Sequence, residues 1–298
     1  MPSIPISDLL TIIFVMVDDW HQVHGSKLLA GKVGRKPILR DSEIITLVLA
    51  QDFIPYPAET QYVEFIRANY LRLFPKLVDQ SQFNRRALQF MLEELRRYWL
   101  IQKGWHLQTN YLLDTKPVPV LGYKRRKNRS DFAGHADYGE CASRNLKYFG
   151  YKLVLLSTLD GLPIVYELVP ANFDERLAAE AVIDYLGNSH IFADKGFLGV
   201  EWQAAMFDQT HNRIWTPKRK NQFVQNSKAF DRWLSAMRER IEGVFHEIQN
   251  TGRNIERLLA KTVSGLCARV IPKMTSHLLR HLLRIDFNVN VQTFSLAF

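Results

Sequence analysis

The sequence predicts an α/β protein in which a mixed β-sheet flanked by helices follows a small all-α helical region. Three observations lead there. Apolar residues recur at three- and four-residue steps up to about residue 105. From Gln108 the pattern changes to short runs rich in β-branched and aromatic residues. Those runs come as a strand, a hairpin, and then helices alternating with strands, an order that merges antiparallel and parallel pairing in one sheet. With 298 residues, 47% of them hydrophobic and 23% charged, the chain has the bulk for one large core or two ordinary ones.

Ile4–Trp20 has helical spacing and gives way to a polar, glycine-marked stretch over 25–37. A second helix starts at Asp41, a favourable N-cap type, carries Ile44, Ile45, Leu47, Val48 and Leu49, and ends before Pro55 and Pro57. Glu59–Phe74 places Tyr62, Phe65, Ile66 and Tyr70 at helical steps. Ser81 is expected to cap one long amphipathic helix holding Phe83, Leu88, Met91, Leu92, Leu95 and Tyr98, with Arg85 and Arg86 in its first turns. Short helices with a basic entry to the last suit a helix-turn-helix DNA reader, and equally any small bundle. Asp18, Asp19, His21 and His24 form no closed ligand set and read as a polar helix end.

Tyr111–Val120 (YLLDTKPVPV) reads as a strand with Asp114 set among apolar neighbours, and residues 122–145 as too irregular for a core element. Tyr148–Thr158 and Pro163–Pro170 read as a hairpin turning at Asp160-Gly161. Asp174 caps a helix over Glu175–Tyr185, and His190–Ala193 is a short strand ending in Asp194-Lys195-Gly196-Phe197. A helix near Val200–Phe207, a strand at Arg213–Pro217 and a long helix at Ala229–Gln249 complete the alternation. Glu256–Arg284 reads as one or two helices, kinked or split by Pro272. Its His277 and His281 stand at i,i+4 without a third ligand, which suits stacked or exposed rings. The boundaries implied are a helical region over 1–105, a sheet domain over 106–285 and a tail over 286–298.

Lysine and arginine number 39 against 30 acidic residues, a formal charge of +9. The excess is clustered at Arg35-Lys36, at Lys124, Arg125, Arg126 and Lys127 with Arg129, at Lys218, Arg219 and Lys220, and from Arg253 to Lys261. Clustered basic charge favours a polyanionic partner, above all nucleic acid. Cys141 and Cys267 have no metal-type spacing and fit a reducing compartment. Leu9–Val17 is too short to span a bilayer and lacks the features of a signal peptide, so the expectation is a cytoplasmic protein with no membrane partner.

A carboxylate among buried apolar residues is costly unless a charge compensates it, and a metal ion is one such charge. Asp114 lies on the first strand and Asp194 ends a later one, so neighbouring strands would bring both to one edge of the sheet. The long helix offers a third acid. Glu242 flanks its apolar stripe with Arg238 one turn earlier; Glu247 lies on the other flank, and geometry alone leaves the choice open.

The segments DTKPVPV, FADKGF and RERIEGVF resemble the three signatures of DDE transposases from bacterial insertion sequences, whose core is ribonuclease H-like, and VPANFDER resembles a further family segment. The gaps are about 80 residues from Asp114 to Asp194 and about 48 from Asp194 to Glu242. The second leaves no room for the large β insertion of some members. The resemblance implies that Asp114, Asp194 and Glu242 are the catalytic triad and the ligands of Mg²⁺, or Mn²⁺, as two ions; it selects Glu242 over Glu247. It implies a homo-oligomer joining two ends of double-stranded DNA to a target. Arg238 matches the family's Arg before the Glu, while the Lys expected after it is replaced by Gln249, which leaves that role vacant or passes it to Arg253; Ser235 stands where a Tyr is expected. Lys195, Arg238, Lys218, Arg219 and Lys220 are then expected to hold phosphates, with Lys124, Arg125, Arg126 and Lys127 along the DNA path. A structure-specific nuclease on the same core, or a non-catalytic DNA-binding descendant, are the competing expectations.

Overall fold

Helices and strands sort into two units in the computed structural model, which describes residues 4–28, 37–54, 56, 58–86, 88–124, 127–141, 145–219, 222–252, 254–258 and 260–291. One unit comprises Met1–Trp99, Asn250–Asn254 and Ser264–Phe298; the other comprises Leu100–Gln249 and Ile255–Val263.

The first unit is helical. α1 (Ile6–Trp20) buries Leu9, Ile13 and Val17 at four-residue steps and runs through a π-helical turn, His21–Gly25, into the short α2 (Ser26–Leu28). α3 (Asp41–Ala50) is buried on nearly every side, as expected of a central helix. Tyr62 of α4 (Glu59–Tyr70) donates its hydroxyl to the Leu47 carbonyl at 2.7 Å. The single helix expected from Ser81 onward is two: α5 (Gln80–Arg85) and α6 (Gln89–Gln102). Asp79, not Ser81, is the cap, accepting from the Gln82 amide. The break follows from Arg86, whose guanidinium is drawn to the Leu39 carbonyl and the Asp41 carboxylate, and Leu88 turns the chain with φ 48°.

The last helix, numbered α10 after those of the second unit, spans Val263–Phe287 with Pro272 inside it, so of the two alternatives, a helix kinked or a helix split at the proline, the split does not occur. Its residues from Pro272 to Leu283 are all buried, and that packing outweighs the hydrogen bond a proline forfeits. Lys273 and Asp52, both fully buried, form an ion pair at 3.4 Å, and the Lys273 ammonium also donates to the Thr251 carbonyl and hydroxyl. The Arg280 guanidinium lies 5.3 Å from the Phe53 ring centre. His277 and His281 stack edge to face at 5.2 Å.

The second unit is built on six strands: β1 (Asn110–Leu121), β2 (Asp137–Cys141), β3 (Leu146–Thr158), β4 (Pro163–Pro170), β5 (His190–Ala193) and β6 (Arg213–Trp215). The order is β2-β3-β1-β5-β6, with β4 on β3 beside β2. β3 pairs antiparallel with β1, β2 and β4, whereas β1, β5 and β6 run parallel. β2 lies inside the stretch expected to be irregular; with Asp137, Gly139 and Glu140 it has little strand propensity of its own, and pairing with β3 supplies the order. α7 (Glu175–Ile183), α8 (Val200–Thr210) and α9 (Lys228–Asn250) accompany the sheet.

Side chains alternate along a strand. Lys116 reaches Gln249 and the Phe245 ring of α9, and Phe192, on the same side, meets Trp233 of α9. Thr115, one residue back, reaches Glu175 of α7. Helices α9 and α7 therefore cover opposite faces of a mixed sheet, the ribonuclease H-like arrangement expected from the sequence. Among the described residues no helix is long and apolar enough to cross a membrane.

Candidate active site

The position of each acid follows from its element. Parallel pairing of β1 with β5 sets Leu113 opposite Ala193, so Asp114 and Asp194, each the next residue along its strand, stand side by side where β5 ends. Asp194 then caps the one-turn 3-10 helix Lys195–Phe197, its carboxylate accepting from the Gly196 amide. Ile241, Val244 and Phe245 hold α9 against the sheet, which sets Arg238 and Glu242 on its flank. The Arg238 guanidinium lies 3.2 Å from Asp194 and 3.8 Å from Glu242. Asp194 and Glu242, remote in sequence, are thus joined through Arg238, and Asp114 stands beside Asp194 at the end of β5.

Burial pushes the Asp114 carboxyl up to about 7, helped by the negative charge of Asp194; the Thr115 amide and Arg238 work in the other direction, and Glu175 adds a smaller upward push. Negative charge is crowded here and incompletely balanced. An arginine bridging Asp194 and Glu242 marks where positive charge is needed, and the donor set is oxygen only. Hard divalent cations such as Mg²⁺ and Mn²⁺ fit such a set, and Asp114, Asp194 and Glu242 are the residues that would hold them.

A consequence is measurable without any metal. Because the folded-state value lies above that of an unfolded chain, near 4, the folded state binds the proton more tightly. The stability this group contributes is complete below about pH 4 and is lost as pH rises through about 7. With Asp114 partly open to solvent, the expected loss is ~2 kcal/mol. Asp114→Asn should therefore raise the melting temperature at pH 8 in chelator and flatten its fall between pH 5 and 8. Thermal melts at the two pH values check this; an unchanged slope would be the contrary result.

The basic residues singled out from the sequence are scattered. Lys195 is exposed, directly after Asp194, and Lys218 and Arg219 lie in the segment leading from β6 to α9. Lys124 is exposed in the turn after β1. Lys127 is engaged internally: its ammonium donates to the Gly122 and Tyr123 carbonyls and sits over the Tyr138 and Phe149 rings at 5.1 and 5.3 Å. In the helical unit Arg85 is exposed on α5, while Arg86 is tied to Leu39 and Asp41. Arg125, Arg126, Lys220 and Arg253 lie outside the described residues.

Sequence reasoning passed over Glu175. Its carboxylate accepts from the Thr115 hydroxyl at 3.3 Å and lies 3.7 Å from the Lys152 ammonium. The available signal was its place in the VPANFDER segment, next to the cap Asp174. Lys116 is a second omission. Nearly buried on the face shared with Asp114, it pairs with Glu256 at 3.2 Å and bonds Gln249 at 3.0 Å, at the helix position where a lysine was expected.

Comparison with protein families matches residues 105–258, more than half of the chain, to a family described as transposase DDE domain. Comparison with curated proteins finds no match, nor does comparison with solved structures.

Proposed function

The chain belongs to the DDE transposase family, and from that premise we propose that it binds the terminal repeats of an insertion sequence and catalyses metal-dependent DNA cleavage and strand transfer. The observation that supports the proposal is the register that sets Asp114 beside Asp194, together with Arg238 lying between Asp194 and Glu242. DNA is the substrate the family implies, and the +9 charge suits it.

Two Mg²⁺ or Mn²⁺ ions held by the three carboxylates would supply charge to the attacking and leaving oxygens of an in-line phosphoryl displacement. The chain's own residues do the rest. Asp114, on a strand paired on both sides, and Asp194, on a turn locked by its bond to the Gly196 amide, give a rigid floor. Lys195, Lys218 and Arg219 hold the phosphodiester, and Arg238, already beside the acids, turns to a phosphate when DNA arrives. In the first step a water oxygen attacks phosphorus at the element end and the strand's 3′ oxygen leaves, taking up a proton. In the second, that hydroxyl attacks a target phosphodiester, forming a new bond to phosphorus as the target's own 3′ oxygen departs. The helical unit, with Arg85 exposed on α5, is assigned to end binding. Two ends require a homo-oligomer, acting in the cytoplasm on nucleoid DNA.

Incubation with Mg²⁺ and oligonucleotides from the DNA flanking its gene, pre-cleaved to expose the 3′-OH, tests this. A joined product is expected; cutting without joining would make the protein a nuclease. Affinity for end DNA should also fall steeply with salt, its logarithm dropping by about 0.9 per phosphate neutralised for each logarithmic unit of salt. Lys218→Ala and Arg219→Ala should each lower that slope by about 1. A flat titration would exclude extensive phosphate contact.

A further inference from the structure

Resting on the reading of DNA as the substrate, we propose that the stretch between β1 and β2 is a preformed strip for duplex phosphates. Lys124 and Arg129 make the contacts, and Lys127 is the positioning residue that holds them in place. Lys124 and Arg129 are both exposed, one on either side of Lys127. Lys127 belongs to the same basic run, but the fold gives its ammonium other partners.

Those partners form a box. Phe149 of β3 lies opposite Leu121 of β1 on one side and opposite Tyr138 of β2 on the other. Tyr123, just past the end of β1, meets Tyr138 edge to face at 5.4 Å, and Tyr138 meets Phe149 at 5.1 Å. The Lys127 ammonium lies 5.9, 5.1 and 5.3 Å from the centres of the Tyr123, Tyr138 and Phe149 rings, and it donates to the Gly122 and Tyr123 carbonyls. Rings and carbonyl oxygens attract an ammonium without bringing a formal negative charge. An acid in their place would cancel part of the strip's charge; the box fastens Lys127 and leaves that charge intact. The far half of the stretch is pinned separately. Phe132 is fully buried, edge to face with the Tyr151 ring at 6.3 Å, and Asp131 accepts from the Val263 amide at 2.8 Å. With both halves fastened, Lys124 and Arg129 lose little backbone freedom when a phosphate arrives, and such preorganisation adds affinity.

The location suits a duplex that crosses the acids. β5 ends beside Asp114, whereas β1 continues to Leu121, roughly 23 Å further at the rise of a strand. One turn of B-DNA is longer, at about 34 Å. A duplex with one phosphate at Asp114 and Asp194 therefore has others within reach of the strip.

The test is the salt dependence with which the full chain binds a duplex carrying the element end, read by fluorescence anisotropy, with melting curves alongside. Lys124→Ala and Arg129→Ala should each lower the slope of log affinity against log salt by about 1. Tyr138→Leu changes no charge, yet should lower the slope by about 1 to 2. Tyr138→Phe keeps the ring and should leave the slope as it is. Lys127→Met should act like Tyr138→Leu and should add nothing once Lys124 and Arg129 are both alanine. A further fall in that background would make Lys127 itself a phosphate contact and overturn the proposal. So would an unchanged slope in Tyr138→Leu and Lys127→Met, or a fall in both that tracks a lowered melting temperature. Lys218→Ala separates the two levels. If it lowers the slope while Lys124→Ala and Arg129→Ala do not, only the strip fails. If the unmodified chain itself shows no salt dependence, the DNA reading fails and the strip falls with it.

Discussion

Replacing Asp114, Asp194 or Glu242 by Ala is expected to lower strand transfer by about a thousandfold or more, the scale of losing one preorganised charge at a reacting centre. Affinity for end DNA should stay within a few-fold, since the residues proposed to bind it are basic ones elsewhere. The three positions are not equivalent in what else they change. Asp194→Ala also removes the acceptor for the Gly196 amide and the partner of Arg238, so the Lys195–Phe197 turn loosens with it. Glu242 is largely exposed on α9 and its loss disturbs little beyond the site. Asp114→Ala removes a partly buried charge and should leave the protein at least as stable at neutral pH. Joining assays with pre-cleaved ends, read with gel-shift affinities, measure both quantities. Full joining activity in any one variant would remove that residue from the triad.

Lys273→Met is expected to destabilise the helical unit by about 3–5 kcal/mol, because it leaves Asp52 buried without its cation. The Thr251 carbonyl and hydroxyl lose a donor in the same change. Removing both charges is less harmful than removing one, so Asp52→Asn with Lys273→Met should recover part of the loss. Urea midpoints of the two variants decide it. A double variant no more stable than Lys273→Met would show that the two side chains do not act as a pair.

Two of the three candidate acids were legible because each sits at a place that local pattern marks. Asp114 interrupts an apolar run and Asp194 follows Ile191–Ala193, shortly before a glycine, whereas local pattern offered Glu242 and Glu247 equally on the two flanks of a helical stripe and only the family resemblance chose Glu242. What remained hidden depends on partners distant in the chain. β2 is ordered by β3, α5 and α6 separate because Arg86 is pulled toward Asp41, and α10 passes through Pro272 because its surroundings bury it. Glu175 shows the limit most clearly. An acid in the first turn of a helix is ordinarily explained by the helix dipole, and only the fold brings it to Thr115 and Gly196.

The parallel register of β1 on β5 has a consequence for the birth of the protein. Asp114 leaves the ribosome about 80 residues ahead of its neighbour on β5, and α9 follows later still. Pairing strands so far apart closes a long loop, an inherently late and slow event in folding. A half-made chain therefore carries Asp114 with neither Asp194 nor Glu242 beside it, and the grouping is complete only once α9 has followed the last strand onto the sheet.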